Sequence, residues 1–330
     1  MIKKFLVALW VAIGVGMLSV TLLFVAIANG WIGYLPDTSE LENPNYKFAS
    51  QVLSSDGKEM GTWSYSKENR VFVDYKDLSP HLVNALIATE DVRFYDHTGV
   101  DVKSLMRAVM MLGKAGGGST ITQQLAKQLW SPRANNIFER ALQKPIEWVI
   151  ATKLERLYSK EEILTMYLNQ FDFLYNAVGI KSAAQVYFST TPDKLTIEEA
   201  AMLVGMCKNP SMYNPRRRPE RALNRRNTVL DQMCKYGYLT TQACDSLQAL
   251  PVEIKYQSVD HKQGLAPYFR EYLRQVLTAK EPKKSHYSEW NEHQYDIDMR
   301  QWKENPLYGF CNKNHKPDGT PYDLYHDGLR

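Results

Sequence analysis

The run from Ala88 to Asp101 reads Ala-Thr-Glu-Asp-Val-Arg-Phe-Tyr-Asp-His-Thr-Gly-Val-Asp and sets two adjacent carboxylates beside aromatic residues. A partly desolvated carboxylate next to an aromatic cluster gains proton affinity and can take a proton near neutral pH. Glu90 is therefore a candidate base, with Asp91, Phe94 and His97 in its company. The competing reading of the same residues is a solvated or capping Glu-Asp pair at a helix end.

A second segment, Gly116-Gly117-Gly118-Ser119-Thr120-Ile121-Thr122-Gln123-Gln124-Leu125-Ala126-Lys127, leads from glycines into hydroxyls at a helix start, then two amides and a lysine. Loop amides, a helix N-terminus and a lysine suit an anion such as pyrophosphate. The order of residues is not that of a Walker loop. An N-capped helix after a Gly-rich loop accounts for the same pattern. In Lys144-Pro145-Ile146-Glu147-Trp148, Lys144 and Glu147 are one helical turn apart and share a face. A surface ion pair accounts for the same pattern. Asn209-Pro210-Ser211-Met212-Tyr213-Asn214-Pro215 precedes Arg216-Arg217-Arg218 and Arg225-Arg226. The arginines fit either a solvated face or contact with phosphates and anionic headgroups. Tyr167-Leu168-Asn169 and the small residues of Gly179 to Phe188 read as close helix packing.

Helical patterns position these groups. They run over His81 to Phe94, Val102 to Leu112, Ile121 to Trp130, Phe138 to Leu157, Lys160 to Asn169, Ile180 to Tyr187, Ile197 to Cys207, Pro219 to Tyr236 and Leu265 to Ala279. No βαβ alternation appears, which argues against a nucleotide-binding α/β fold. Ahead of them, Phe48 to Asp74 is β-like. Ser54-Ser55-Asp56-Gly57 reads as a hairpin turn joining Gln51-Val52-Leu53 to the region of Val71-Phe72-Val73. Pro36 to Tyr46 is polar and turn-rich, and reads as a juxtamembrane linker. The tail after Lys280 shows no helix or strand pattern.

Lys3 and Lys4 precede an uncharged apolar run from Phe5 to Ala28. As a helix it reaches about 36 Å, enough to cross a hydrocarbon core of about 30 Å. Trp31 and Tyr34 follow at interfacial positions, and the lysines place the rest of the chain outside the cytoplasm. Ala26-Ile27-Ala28 resembles a signal-peptidase site, but the apolar run is longer than a signal h-region. A retained single-pass anchor is the expectation.

Composition sets the outer bounds. The chain has 330 residues, 44% hydrophobic and 23% charged, which is a folded composition. A net charge of +4 gives no argument for nucleic acid as a partner. Cys207, Cys234, Cys244 and Cys311 form no C-x-x-C pair and no zinc spacing with His. They read as buried or free thiols, with a Cys234–Cys244 disulfide left open.

In this order and behind this anchor, the segments resemble the family 51 peptidoglycan glycosyltransferases, found in class A penicillin-binding proteins and in monofunctional transglycosylases. The resemblance covers about residues 76 to 240 and rests on the E-D-x-x-F-x-x-H-x-G-x-D and G-S-T-x-T-Q-Q runs. It implies a mainly α, lysozyme-like domain with a small jaw that hugs the membrane, preceded by one transmembrane helix and a short β-like segment. It implies Glu90 as catalytic base and Glu147 as the second carboxylate. Asp91, Phe94, His97, Ser119, Thr120, Gln123, Gln124, Lys127 and Lys144 are then substrate-binding. The implied reaction is polymerisation of lipid II into glycan strands, with inversion and release of polyprenyl pyrophosphate. The implied setting is the outer face of the cytoplasmic membrane, in company with cell-wall synthesis proteins. No cofactor is required, with room for a divalent cation, Mg or Mn. Rival readings are a lysozyme-like muramidase or lytic transglycosylase, and an inactive wall-assembly scaffold.

The chain departs from the family pattern in carrying Gln143 for an arginine, Thr165 for a glutamate and Leu174 for a glycine. Nearby arginines are expected to substitute for the cation missing at Gln143. The jaw is expected to dip apolar residues, Trp130 and Phe138 among them, into the bilayer. The expected division is a cytoplasmic tail (1–4), the anchor (5–28), a linker with a β-hairpin (29–75), the glycosyltransferase domain (76–250) and a linker toward a transpeptidase domain absent from this chain (251–330). Gly264 to Arg270 and Asp327 to Arg330 resemble that linker. The S-x-x-K matches at Ser55–Lys58 and Ser64–Lys67 lie in the β-like region without a following K-T-G and read as coincidence.

Overall fold

The computed structural model describes residues 2–37, 40–41, 50–57, 59–63, 71–111, 117–131, 137–257, 266–287, 291–325 and 327–329. Gly116, Gly264, Leu265, Arg330 and the Ser64–Lys67 match lie outside these residues, as does Lys58 of the other match.

An apolar helix α1 (Ile2–Ala28) leads the chain, with a mean hydropathy of 2.5 over its best window. It is long and apolar enough to cross a membrane, and nearly all of it is exposed. Its last turns rest on the main domain, where Phe24 stacks on Trp148 at 6.1 Å. The chain beyond Trp31 is tied down as well. Leu41 is buried in the main core, and its carbonyl accepts from Tyr158 Oη at 2.7 Å.

Strands β1 (Ser50–Leu53) and β2 (Glu59–Trp63) pair antiparallel. Gly57 N donates to Ser54 O at 2.8 Å and closes the turn, with φ +77 at Gly57, a value glycine adopts freely. The expected turn is thus present, but its partner strand is Glu59–Trp63 and not Val71–Val73. Val73 is held elsewhere: the Asn169 side chain donates to its carbonyl (2.9 Å) and accepts from its N–H (3.0 Å).

The main domain is helical. Its helices are α2 (Pro80–Glu90), α3 (Val102–Met110), α4 (Ile121–Trp130), α5 (Ile137–Leu157), α6 (Lys160–Gln170), α7 (Ile180–Phe188), α8 (Ile197–Cys207), α9 (Pro219–Lys235) and α10 (Thr241–Gln248). Side chains cap the starts. Ser79 accepts from His81 N ahead of Pro80, and Thr120 accepts from Gln123 N. Ser159 with Glu162 and Thr196 with Glu199 form capping boxes. Helix α2 packs with α8 and α9, while α4 packs with α5 and α6. In α6 every residue from Ile163 to Asn169 is buried, and in α8 every residue from Ala200 to Cys207, so these two helices form the spine of one continuous core.

Helix α2 stops at Glu90, short of the expected Phe94, which begins a 3-10 turn. Leu174, Tyr175 and Asn176 all have φ between +55 and +67. Leu174 therefore sits where an L side chain is strained, and the departure from glycine falls on backbone conformation more than on packing.

Downstream lie α11 (Pro267–Leu277), α12 (Glu292–Glu304) and α13 (Phe310–Lys313). The last two correct the patternless expectation for the tail. Val52 and Trp63 of the hairpin share a second small core with Cys311 and Leu324, and Gln51 N donates to Leu329 O at 2.8 Å. All four cysteines are free thiols, so the Cys234–Cys244 bridge is not formed.

Candidate active site

Glu90 is the last residue of α2, at the seam between the two helix groups. Gln124 Nε2 of α4 donates to its Oε2 at 3.0 Å. Arg225 Nη2 of α9 lies 3.5 Å from its Oε1. The partners on the carboxylate are thus an amide and a guanidinium, which corrects the aromatic wall expected from sequence. Phe94 is buried and packs edge-on against His97 (6.0 Å), with Lys160 Nζ 4.4 Å from its ring centre.

Behind Gln124, Tyr167 Oη donates to Gln124 Oε1 at 3.1 Å, which turns the amide N–H₂ toward Glu90. Burial, then the neighbouring Cys207 and Glu90, push the Tyr167 phenol well above its ordinary range. Burial first and the Glu90 charge second likewise push the Cys207 thiol up. Both stay protonated at physiological pH, so neither competes with Glu90 for a proton.

Asp91 and His97 do a different job. Asp91 Oδ2 accepts from Ile121 N, at the start of α4, and contacts His97 Nε2, both at 3.0 Å. Gly99 N donates to His97 Nδ1 at 3.2 Å, which puts the imidazole proton on Nε2. Gly99 O in turn accepts from Thr120 Oγ1 (2.7 Å) and Gln123 Nε2 (3.2 Å). The Glu90 and Ser119 segments are thereby stitched into one unit. Asp91, Phe94, Thr120 and Gln123 are buried, and the His97 side chain is 7% exposed. Of these residues, Asp91 and Thr120 line the cleft, and Phe94, His97 and Gln123 lie behind it.

Asp101 closes the other end of the motif. It pairs with Arg93 at 2.8 Å and accepts from Ser104 N at 3.0 Å. Burial would raise its carboxyl, but hydrogen bonds from Ser104 and Arg93 more than offset that and hold it below the usual range.

The second carboxylate belongs to a neighbouring cluster. Glu147 is 1% exposed, and Lys144 Nζ donates to its Oε2 at 2.8 Å and to Ser119 Oγ at 3.0 Å. The Lys144 side chain remains 49% exposed, so a buried acid holds a half-open cation at the end of the Ser119 segment. Glu147 therefore orients the lysine. Lys127 is exposed on α4 and does not line the cleft. Arg216, Arg217 and Arg218 are exposed, as in the solvated-face reading, while Arg225 and Arg226 are engaged inside the protein. Arg226 is buried and donates to the carbonyls of Leu247, Gln248, Leu250 and Pro251, and Arg216 lies 4.0 Å over the Tyr256 ring. Arg225 goes to Glu90. That contact is the main feature sequence missed; a polar stripe at Arg225, Thr228, Gln232 and Lys235 is its signal.

Glu90, Ser119, Gln124 and Arg225 face a cleft of about 530 Å³. The end of α2 and the Gly117–Thr120 segment line it, with the polar stripe of α9 and the Asp101–Ser104–Arg107 side of α3. Among the described residues, no three His, Cys, Asp or Glu side chains are placed to hold a metal ion.

Fold and site define a helical domain built around a carboxylate-lined cleft and led by an apolar helix. The chain belongs to the transglycosylase family, whose family model matches residues 56–234. It is 39% identical to penicillin-binding protein 1A of Escherichia coli (strain K12) over 249 residues, 74% of this chain and 28% of that protein. It is 38% identical to penicillin-binding protein 1A of Aquifex aeolicus (strain VF5) over 251 residues, 74% and 33% of the two chains. Penicillin-binding protein 1F of Bacillus subtilis (strain 168) is 36% identical over 72% of this chain and 32% of its own. The chain spans about a third of the length of the curated relatives it matches.

Proposed function

We propose that this chain is a peptidoglycan glycosyltransferase that polymerises lipid II at the outer face of the cytoplasmic membrane. The observation that carries the reading is the placement of Glu90 in an open cleft, one short segment away from the Ser119–Lys144–Glu147 cluster. Glu90 takes the proton of the acceptor's GlcNAc 4-hydroxyl. The oxygen bonds to the anomeric carbon of the donor MurNAc, and the bond from that carbon to the pyrophosphate oxygen breaks with inversion. Lys144 meets the charge that grows on the leaving pyrophosphate. The reading routes no step through a divalent ion.

The setting supports a lipid substrate. The end of α1 rests on Trp148, next in sequence to Glu147. Helix α3 exposes Val102, Met106 and Met110, one side of a strongly amphipathic helix, and Met111 and Ile137 are exposed as well. These take the place of Trp130 as the lipid-facing group. Trp130 is buried and its Nε1 donates to Glu40 Oε1 at 3.2 Å, while the Phe138 side chain lies outside the described residues. The paired change Met106→Glu and Met110→Glu is expected to slow polymerisation on vesicles several-fold and to spare it on detergent-dispersed lipid II. Equal rates on vesicles would remove the membrane role of α3.

The function itself is tested with purified chain and lipid II. Long glycan strands and free polyprenyl pyrophosphate are expected, with inhibition by a moenomycin-type compound. Small muropeptides released from preformed glycan would assign a lytic enzyme instead, and binding without turnover would assign a scaffold.

A further inference from the structure

We propose that Arg225 is the positioning residue of Glu90, set in place by the close crossing of α9 over Gly205 of α8. This rests on the reading of Glu90 as the base. Arg225 and Arg226 are neighbours on α9, so they diverge by about 100° around it. Arg226 turns into the core and caps carbonyls. Arg225 turns to the cleft, where its side chain is 11% exposed and that of Glu90 is 16% exposed.

Three contacts fix the guanidinium. Its Nη2 is 3.5 Å from Glu90 Oε1, its Nε donates to Gly205 O at 3.4 Å, and its carbon lies 5.8 Å from the Tyr213 ring centre. The stem is fixed as well, because a Cβ on Gly205 would come within 3.1 Å of Arg225 Cγ. A side chain at position 205 would press the stem away by a few tenths of an ångström.

The consequence is geometric. Gln124, oriented by Tyr167, holds one oxygen of Glu90, and Arg225 holds the other. The carboxylate plane is then fixed before substrate arrives, which a single amide contact would leave free to rotate. Lys208 and Lys235 also line the cleft, but among the described residues Arg225 is the cation in contact with Glu90. Orientation of a general base acts on turnover more than on binding, and small misplacement costs on the order of 100-fold.

The test measures kcat and KM for lipid II polymerisation in the anchored chain. Arg225→Gln is expected to lower kcat between about 10- and 100-fold with KM unchanged within twofold. Arg225→Lys is expected to recover part of kcat, and added guanidinium at millimolar concentration to recover part of the loss in Arg225→Ala. Gly205→Ala, which moves the stem without removing the charge, is expected to lower kcat as well. A raised KM at full kcat in Arg225→Gln would overturn the proposal in favour of substrate binding. Loss of the folded state in both Arg225→Gln and Arg225→Lys would overturn it in favour of packing. Failure of the Glu90 reading looks different: Glu90→Gln would then polymerise lipid II normally. If Glu90→Gln is dead and the Arg225 variants match wild type, only the positioning role falls.

Discussion

Glu90→Gln is expected to lower the rate of lipid II polymerisation by about 10²–10⁴-fold, the usual contribution of a positioned general base. The argument is one of charge at constant shape. Glutamine keeps the volume of glutamate and retains an oxygen that can accept from Gln124 Nε2. What it lacks is the lone pair basic enough to take a hydroxyl proton, and the charge that Arg225 faces at 3.5 Å. Tyr167 and Cys207 cannot stand in, because both are held protonated by burial beside that same carboxylate. Glu147 cannot stand in either, since it is buried and bound to Lys144. The fold is expected to survive, because the Asp91–His97–Gly99 stitching does not pass through residue 90. A polymerisation assay beside a thermal melt checks both halves. Normal turnover in a folded Glu90→Gln chain would end the assignment of Glu90.

The contacts that matter at Glu90 also show what a sequence can disclose. Helix starts were legible because their signals are local. A serine or threonine cap, a proline at the first position and a glutamate three residues on lie within a few residues of one another. Strand pairing was harder to read, because composition does not by itself choose the partner. Val71-Phe72-Val73 has the composition of a strand, yet its backbone bonds go to the side chain of Asn169, 96 residues downstream of Val73. The true partner, Glu59 to Trp63, contains a glycine and a glutamate and has little strand character by itself. Helix α12 escaped for the opposite reason: it buries no residue, so it carries no apolar stripe to reveal its period.

At the site, residue types and order made the Glu90 segment, the Ser119 segment and the Lys144–Glu147 pair stand out. Which of their side chains would face the cleft was not legible, because that depends on which ones the stitching uses up. Asp91, His97, Thr120 and Gln123 are polar residues at motif positions, and each has its main polar contacts inside the protein. Arg225 and Arg226 carry the same side chain, and only the polar stripe that Arg225 shares with Thr228, Gln232 and Lys235 sets it apart. One turn angle on α9 sends the first to the base and the second to the carbonyls at the end of α10 and just beyond.

Gly99 takes two of the contacts that join these segments, from Thr120 and from Gln123, and there the largest loss of stability is expected. Gly99 has φ +94, and a Cβ placed on it would lie 2.8 Å from the backbone of Ala151 and Thr152 in α5. Real Cβ atoms do not sit that close, and a helix backbone cannot swing aside as a flexible side chain can. Gly99→Ala therefore combines left-handed strain with a backbone clash, for a cost of about 3 kcal/mol or more. In a domain of this size that lowers the melting temperature by roughly 6–12 °C. Activity is expected to fall with it. Relief of the clash must move the Gly99 carbonyl, and with it the Thr120 cap, the Gln123 amide and the chain on either side that carries Ser119 and Gln124. Gly117→Ala is the contrast, because a Cβ there meets nothing within 4 Å, and its melting temperature is expected to match wild type. A Gly99→Ala protein that melts within a degree or two of wild type would show that α5 can yield at Ala151, and that the two segments are held together by something other than this contact.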